Sequence, residues 1–113
     1  ELCVLSELIQ EDMYGYLIIS NISEHLDVNE NTIYPILRRL TKEGYFTTYL
    51  QESNIGAARK YYKITEKGFN HYLELRDSWD YFIGGVYEIL NKGGKKNEEI
   101  FKRFGKRIEK TKN

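Results

Sequence analysis

A chain of 113 residues with no net charge has room for one domain with a modest core, and its mean charge alone argues against a polyanion as partner. Its single cysteine, Cys3, excludes an intrachain disulfide, fits an intracellular, cytoplasmic protein and reads as a small buried thiol. No apolar run approaches the length of a membrane span and no signal peptide is visible, so a membrane is not an expected partner.

The average hides a segregation of charge. Residues 1–37 carry acids (Glu1, Glu7, Glu11, Asp12, Glu24, Asp27, Glu30) and no Lys or Arg. Residues 38–67 are basic in balance, with Arg38, Arg39, Lys42, Arg59, Lys60, Lys63 and Lys67 against Glu43, Glu52 and Glu66. A second basic stretch occupies 93–113. Charge sorted in this way gives a basic face in spite of the neutral mean.

In chain order, Leu2, Val4, Leu5, Leu8 and Ile9 form the stripe of a first short helix. Glu11-Asp12 is a polar break. Tyr14-Gly15-Tyr16 opens a second helix, continued by Leu17, Ile18, Ile19, Ile22 and Leu26; Gly15 at its start suggests close backbone approach by another element. Tyr14 and Tyr16 are read either as packing aromatics or as contacts to a ligand or nucleic acid.

The third helix, within Asn29 to Gly44, is the most informative stretch. Ile33, Ile36, Leu37 and Leu40 share one narrow face, while Asn31, Tyr34, Pro35, Arg38 and Lys42 fall opposite. An amide, a phenol and two cations on an exposed helix face suit phosphates and base edges. Asn29 is a good N-cap, Glu30 favours the first turn and Gly44 a C-terminal stop. Pro35 removes a backbone donor and predicts a kink or a late start. Three helices with short joints, the third facing outward, outline a helix-turn-helix. The simpler reading is an ordinary amphipathic surface helix, and the chain beyond Gly44 decides between the two.

That part of the chain holds a strand over Tyr45–Leu50, a turn region over Ser53–Ala58 and a return strand over Arg59–Ile64. A hairpin directly after a reading helix is the wing of a winged helix. Arg59 and Lys60 are placed to touch backbone phosphates. Tyr61 and Tyr62 alternate, so one faces the core and the other does not.

Thr65 caps a long helix. Tyr72, Trp79, Ile83, Val86 and Leu90 lie along one line, and Leu75, Phe82 and Ile89 along an adjacent one. The arc covers about half the circumference, wider than one packing surface needs, so this helix is expected to pack against its own copy. Gly84-Gly85 costs about 1 kcal/mol per glycine relative to alanine. Gly93-Gly94 ends the helix. In the basic remainder Ile100, Phe101, Phe104 and Ile108 stand at helical spacing, fitting either a short helix or a mobile extension.

Tyr14-Gly15-Tyr16, then TIYPILRRLTKEGY (32–45), then RKYYKITEKG (59–68), resemble in order and spacing the PadR family of bacterial transcriptional regulators. The likeness runs from about residue 2 to residue 90. It implies a mainly α fold with a small β-hairpin wing: a winged helix-turn-helix over 1–65, a dimerisation helix over 66–92, and a tail over 93–113. It further implies a dimer that represses nearby genes. Ser78-Trp79 resembles the multidrug-binding members, in which a Trp from each subunit lines a central pocket. The chain departs from the family in a wing turn with one glycine, Gly56, and in a longer basic tail.

The candidate DNA-binding residues are therefore Asn31, Thr32, Tyr34, Pro35, Arg38, Arg39, Lys42, Arg59 and Lys60, facing a pseudo-palindromic duplex. The candidate dimer interface is Phe69, Tyr72, Trp79, Ile83, Val86 and Leu90. A pocket for a small planar aromatic effector is expected around Trp79, Tyr72, Leu75, Phe82 and Ile83, with closed dimer core as the competing reading of Trp79. His25 and His71 are isolated, so no metal site and no cofactor is expected. Nothing resembles an enzyme: there is no phosphate loop, no Cys–His pattern and no carboxylate pair. The competing function is a winged-helix protein-interaction module without DNA binding, which a salt titration separates from a DNA binder.

Overall fold

A computed structural model describes residues 1–105. The elements are α1 (Leu2–Gln10), β1 (Met13–Tyr14), α2 (Gly15–Ser23), α3 (Glu30–Lys42), β2 (Phe46–Ser53), β3 (Gly56–Ile64), α4 (Glu66–Asn91) and α5 (Gly94–Arg103). This is the expected fold class, mainly helical with a small antiparallel wing and a long helix after it. Two compact units divide within α4, one ending at Arg76 and the other beginning at Asp77.

In the first unit the amphipathic faces meet in one core. Val4, Leu5 and Leu8 come from α1, Ile18 and Ile22 from α2, and Ile33, Leu37 and Leu40 from α3. Met13, Phe46 and Tyr62 cover them from the sheet. Tyr72 and Leu75, on the root of α4, pack against the rim of this core.

Cys3 is exposed, not buried as its residue type suggested. It lies about 150° around α1 from the mean direction of Val4, Leu5 and Leu8, so the helix that buries those three turns the thiol outward. Leu26 also leaves the expected stripe: α2 stops at Ser23, and Leu26 stands exposed in the connection.

The caps of α3 are the expected ones. The Asn29 side chain accepts from the Asn31 N–H at 2.9 Å. Gly44 takes φ +85°, the left-handed conformation that a C-terminal stop requires. The helix starts at Glu30 and continues through Pro35, so it does not begin late. Asn31, whose carbonyl loses its donor to the proline ring, lies on the exposed side, where water can replace the bond.

The sheet order is β1-β3-β2, with all pairs antiparallel. The wing turn is shorter than expected. β2 runs on to Ser53 and β3 starts at Gly56, leaving Asn54-Ile55 as the turn, with an irregularity between Gln51 and Ser53. β1 is too short for any alternation to betray it, and pairs Met13 with Tyr62 and Tyr14 with Tyr61.

Thr65 caps α4: its hydroxyl accepts from the Gly68 N–H at 3.0 Å and lies 2.8 Å from the Gly44 carbonyl, which it can donate to. Lys67 donates to the Glu43 carbonyl at 2.7 Å, satisfying the end of α3. In the second unit, α4 exposes Trp79, Tyr81, Phe82, Ile83, Tyr87, Ile89 and Leu90. A short helix, α5, comes next, with Ile100 and Phe101 half-buried and Phe104 exposed. Ile108 and the rest of the basic tail lie outside the described residues. No helix among the described residues is long and apolar enough to cross a membrane.

Candidate nucleic-acid interface

The outward side of α3 is set by burial of the opposite one. With Ile33, Leu37 and Leu40 in the core, Asn31, Thr32, Tyr34, Pro35, Arg38, Arg39 and Lys42 are all exposed. The Tyr34 ring lies against Gly15. A Cβ on Gly15 would come within 2.7 Å of the Tyr34 ring, so the glycine at the start of α2 is the floor on which this phenol lies. Here the close approach expected at Gly15 has its partner.

Tyr34 and Arg38 both act on Tyr62 beneath them. Burial, above all, pushes the Tyr62 phenol above its ordinary pKa, Tyr34 adds to this, and the Arg38 guanidinium opposes it. Arg39 is differently engaged. It donates to Glu1 at 2.6 Å and lies 3.7 Å from Glu43, and the Glu1 hydrogen bond holds it still more firmly protonated. The second oxygen of Glu1 lies 2.6 Å from His71 Nε2, and the His71 ring stacks on Tyr45 at 4.2 Å. One carboxylate thus joins α1 to α3 and α4. The partners of this junction lie 38 and 70 residues apart in sequence, so no local pattern announces it.

On β3, Arg59 lies over the Tyr14 ring with its guanidinium carbon 4.4 Å from the centroid, and Lys60 Nζ stands 5.6 Å from the Tyr62 centroid. β1 ends at Tyr14, where the chain turns into α2, and a cleft of about 210 Å³ opens there. Tyr14, Gly15, Tyr16, Tyr34, Arg59, Lys60 and Tyr62 line it. Cations and phenols from α2, α3 and the wing are thereby brought to one surface, which suits anionic oxygens. The sequence marks Tyr14 and Tyr16 as possible contacts and Gly15 as a close approach, but it does not place Gly15 or Tyr62 in this cleft; the spacing of Tyr62 from the wing cations was the available signal.

Behind this surface the sheet carries a row of phenols. Tyr61 meets Tyr14 edge-on at 5.6 Å and Tyr49 in a stack at 5.5 Å. The Tyr49 hydroxyl donates to Asp12 at 2.7 Å, and that bond raises its pKa above the ordinary phenol value.

The residues expected around a ligand are distributed over both units. Tyr72 and Leu75 pack against the winged-helix core, and Tyr72 accepts from Arg76 at 3.2 Å. Trp79 is 50% exposed and tilted against Phe82 at 6.2 Å. Among the described residues no His, Cys, Asp and Glu cluster is arranged to hold a metal ion.

Compared with known proteins, residues 4–74 match the "Transcriptional regulator PadR-like family". A PadR-like transcriptional regulator from Bacillus cereus is 36% identical, with a TM-score of 0.72 over 79% of this chain and 88% of its own. A PadR family transcription regulator from Clostridium difficile is 25% identical, with a TM-score of 0.72 over 79% and 95%. An uncharacterized protein of Lysinibacillus sphaericus is 32% identical over 80 residues, 67% of this chain and 73% of its own.

Proposed function

The chain belongs to the PadR-like family of transcriptional regulators, which bind DNA, and from that membership we propose a cytoplasmic, dimeric repressor released by a small planar aromatic compound. The observation that carries the DNA-binding part is the cation-rich surface shared by α3 and the wing. Arg38 projects from the exposed face of α3, and Arg59 and Lys60 line the adjoining cleft. In this reading α3 enters the major groove, Asn31, Thr32, Tyr34, Pro35, Arg38 and Lys42 meet base edges and phosphates, and the wing cations meet the flanking backbone. Arg39 contributes less, because the Glu1 carboxylate already offsets its charge and accepts from one Nη.

The dimer rests on the apolar side chains that α4 exposes beyond Asp77. Trp79, Ile83 and Leu90 are covered by a second copy in this reading, and Phe69 and Val86 extend the same seam. Trp79 with Phe82 and Ile83 offers the apolar, stackable surface that a planar guest needs.

A gel shift with DNA from upstream of the protein's own gene, with and without planar aromatic dyes, tests the reading. A retarded dimer complex that weakens steeply with salt and is released by a dye supports it. A protein-interaction module gives no salt-sensitive shift.

A further inference from the structure

We propose that Tyr14 is a positioning residue for Arg59, its ring held by an in-register ladder of tyrosines that is clasped to Asp12. The inference rests on the DNA-binding reading of the chain. Tyr14, Tyr61 and Tyr49 each come from a different strand, and the pairings Tyr14↔Tyr61 and Tyr49↔Tyr61 bring them side by side across the sheet. Strand alternation puts them on the face opposite Met13 and Tyr62, which are buried in the core. The row ends in the hydrogen bond from Tyr49 to Asp12, next to β1, so the ring from β2 reaches back across β3 and ties both neighbours together.

The place of Arg59 comes from the same geometry. It is two residues before Tyr61 and so projects from the same face, diagonal to Tyr14. Its partner on β2 is the neutral Gln51, and β1 has ended before reaching it. The guanidinium lies over the Tyr14 ring at 4.4 Å. A ring face orients a guanidinium without neutralising it, leaving its N–H donors for a phosphate. The contrast with Arg39 is direct: the Glu1 carboxylate accepts from one Nη of that guanidinium and offsets its charge.

The test is the salt dependence of binding to a duplex of generic sequence, since a phosphate contact needs no operator. Arg59→Ala should weaken binding several-fold and lower the log–log salt slope by about 0.9, the loss of one phosphate contact. Tyr14→Leu, which keeps Arg59, should reproduce much of that loss. Combining the two should add little to Arg59→Ala alone. Tyr14→Phe, which keeps the ring, should recover the salt slope that Tyr14→Leu loses. Melting temperatures identify any variant that fails to fold. If Tyr14→Leu does, Tyr49→Leu decides, because it removes the stacked ring and the Asp12 bond from the more exposed end of the row. A wild-type slope in the deciding variant overturns the proposal while leaving the DNA-binding reading intact, and so does a wild-type slope in Arg59→Ala. Absence of any DNA binding by the wild type overturns both.

Discussion

At the scale of single residues, two glycines show how different reasons for the same residue lead to different outcomes. A Cβ on Gly68 would run into the Tyr45 carbonyl oxygen and press on Ile64. The carbonyl is backbone, held by the Thr65 N–H at 3.0 Å, and cannot swing away. Gly68→Ala should therefore destabilise the fold by about 1–3 kcal/mol, the usual cost of overpacking, as read from urea unfolding. At Gly15 the obstacle is the outer edge of the Tyr34 ring, a partly exposed side chain that can move. Gly15→Ala should leave the melting temperature nearly unchanged and lower DNA affinity, because the displaced phenol sits on the face of α3 proposed to meet DNA. Equal losses of stability in the two variants would contradict this distinction. The sequence already marked Gly15 as a close approach, since a glycine opening an apolar helix has few other uses. It could not supply Tyr34 as the partner, because that contact depends on how two helices cross.

At the scale of elements, the caps and periodic faces were legible and the long-range ties were not. Asn29, Gly44 and Thr65 act at the helix ends where their chemistry placed them, because capping is satisfied within a few residues. Thr65→Ala should cost about 1–2 kcal/mol, as read from thermal or urea unfolding, since it removes the cap of α4 and a bond to the preceding turn together. β1 escaped notice because two residues carry no period, and Cys3 was misplaced because its burial depends on the phase of α1. The Glu1 junction was invisible because its partners stand far off in sequence, yet it governs a pH response. The hydrogen bond from His71 chiefly, with burial opposing and Arg39 assisting, holds the Glu1 carboxyl below its ordinary pKa. A carboxyl depressed by folding adds stability that is complete above the unfolded pKa, about 4.3, and is lost as pH falls through the lower folded value. Glu1→Gln should therefore be less stable than wild type near neutrality, with the gap closing as the pH drops below the unfolded value and through the folded one. A gap in urea midpoint that stays constant over that range would remove the role assigned to Glu1.

At the scale of the whole molecule, the question is what covers α4 beyond Asp77. Trp79, Phe82, Ile83, Ile89 and Leu90 form an exposed apolar patch of the kind that marks an interaction site, and among the described residues nothing lies within 4 Å of where a side chain would begin at Gly84 and Gly85. In the proposed dimer a second copy laid along this face would bury the apolar residues, and the bare glycine backbone would admit its close approach. Sedimentation at micromolar concentration should then give twice the chain mass, and Ile83→Asp should give monomer and lose most DNA affinity. Trp79 reports on the same event, being the only tryptophan. It is half-exposed in the single chain, so its emission should shift to the red when the dimer is diluted to monomer. In the proposed ligand reading Trp79, half-exposed and tilted against Phe82 at 6.2 Å, would stack on a flat guest, and the apolar surroundings would supply the desolvation gain. Planar aromatic dyes should quench Trp79 saturably and lower operator affinity over the same concentration range. Closed dimer core gives the opposite pattern: no saturable quenching by any such dye, together with dissociation of the dimer in Trp79→Ala.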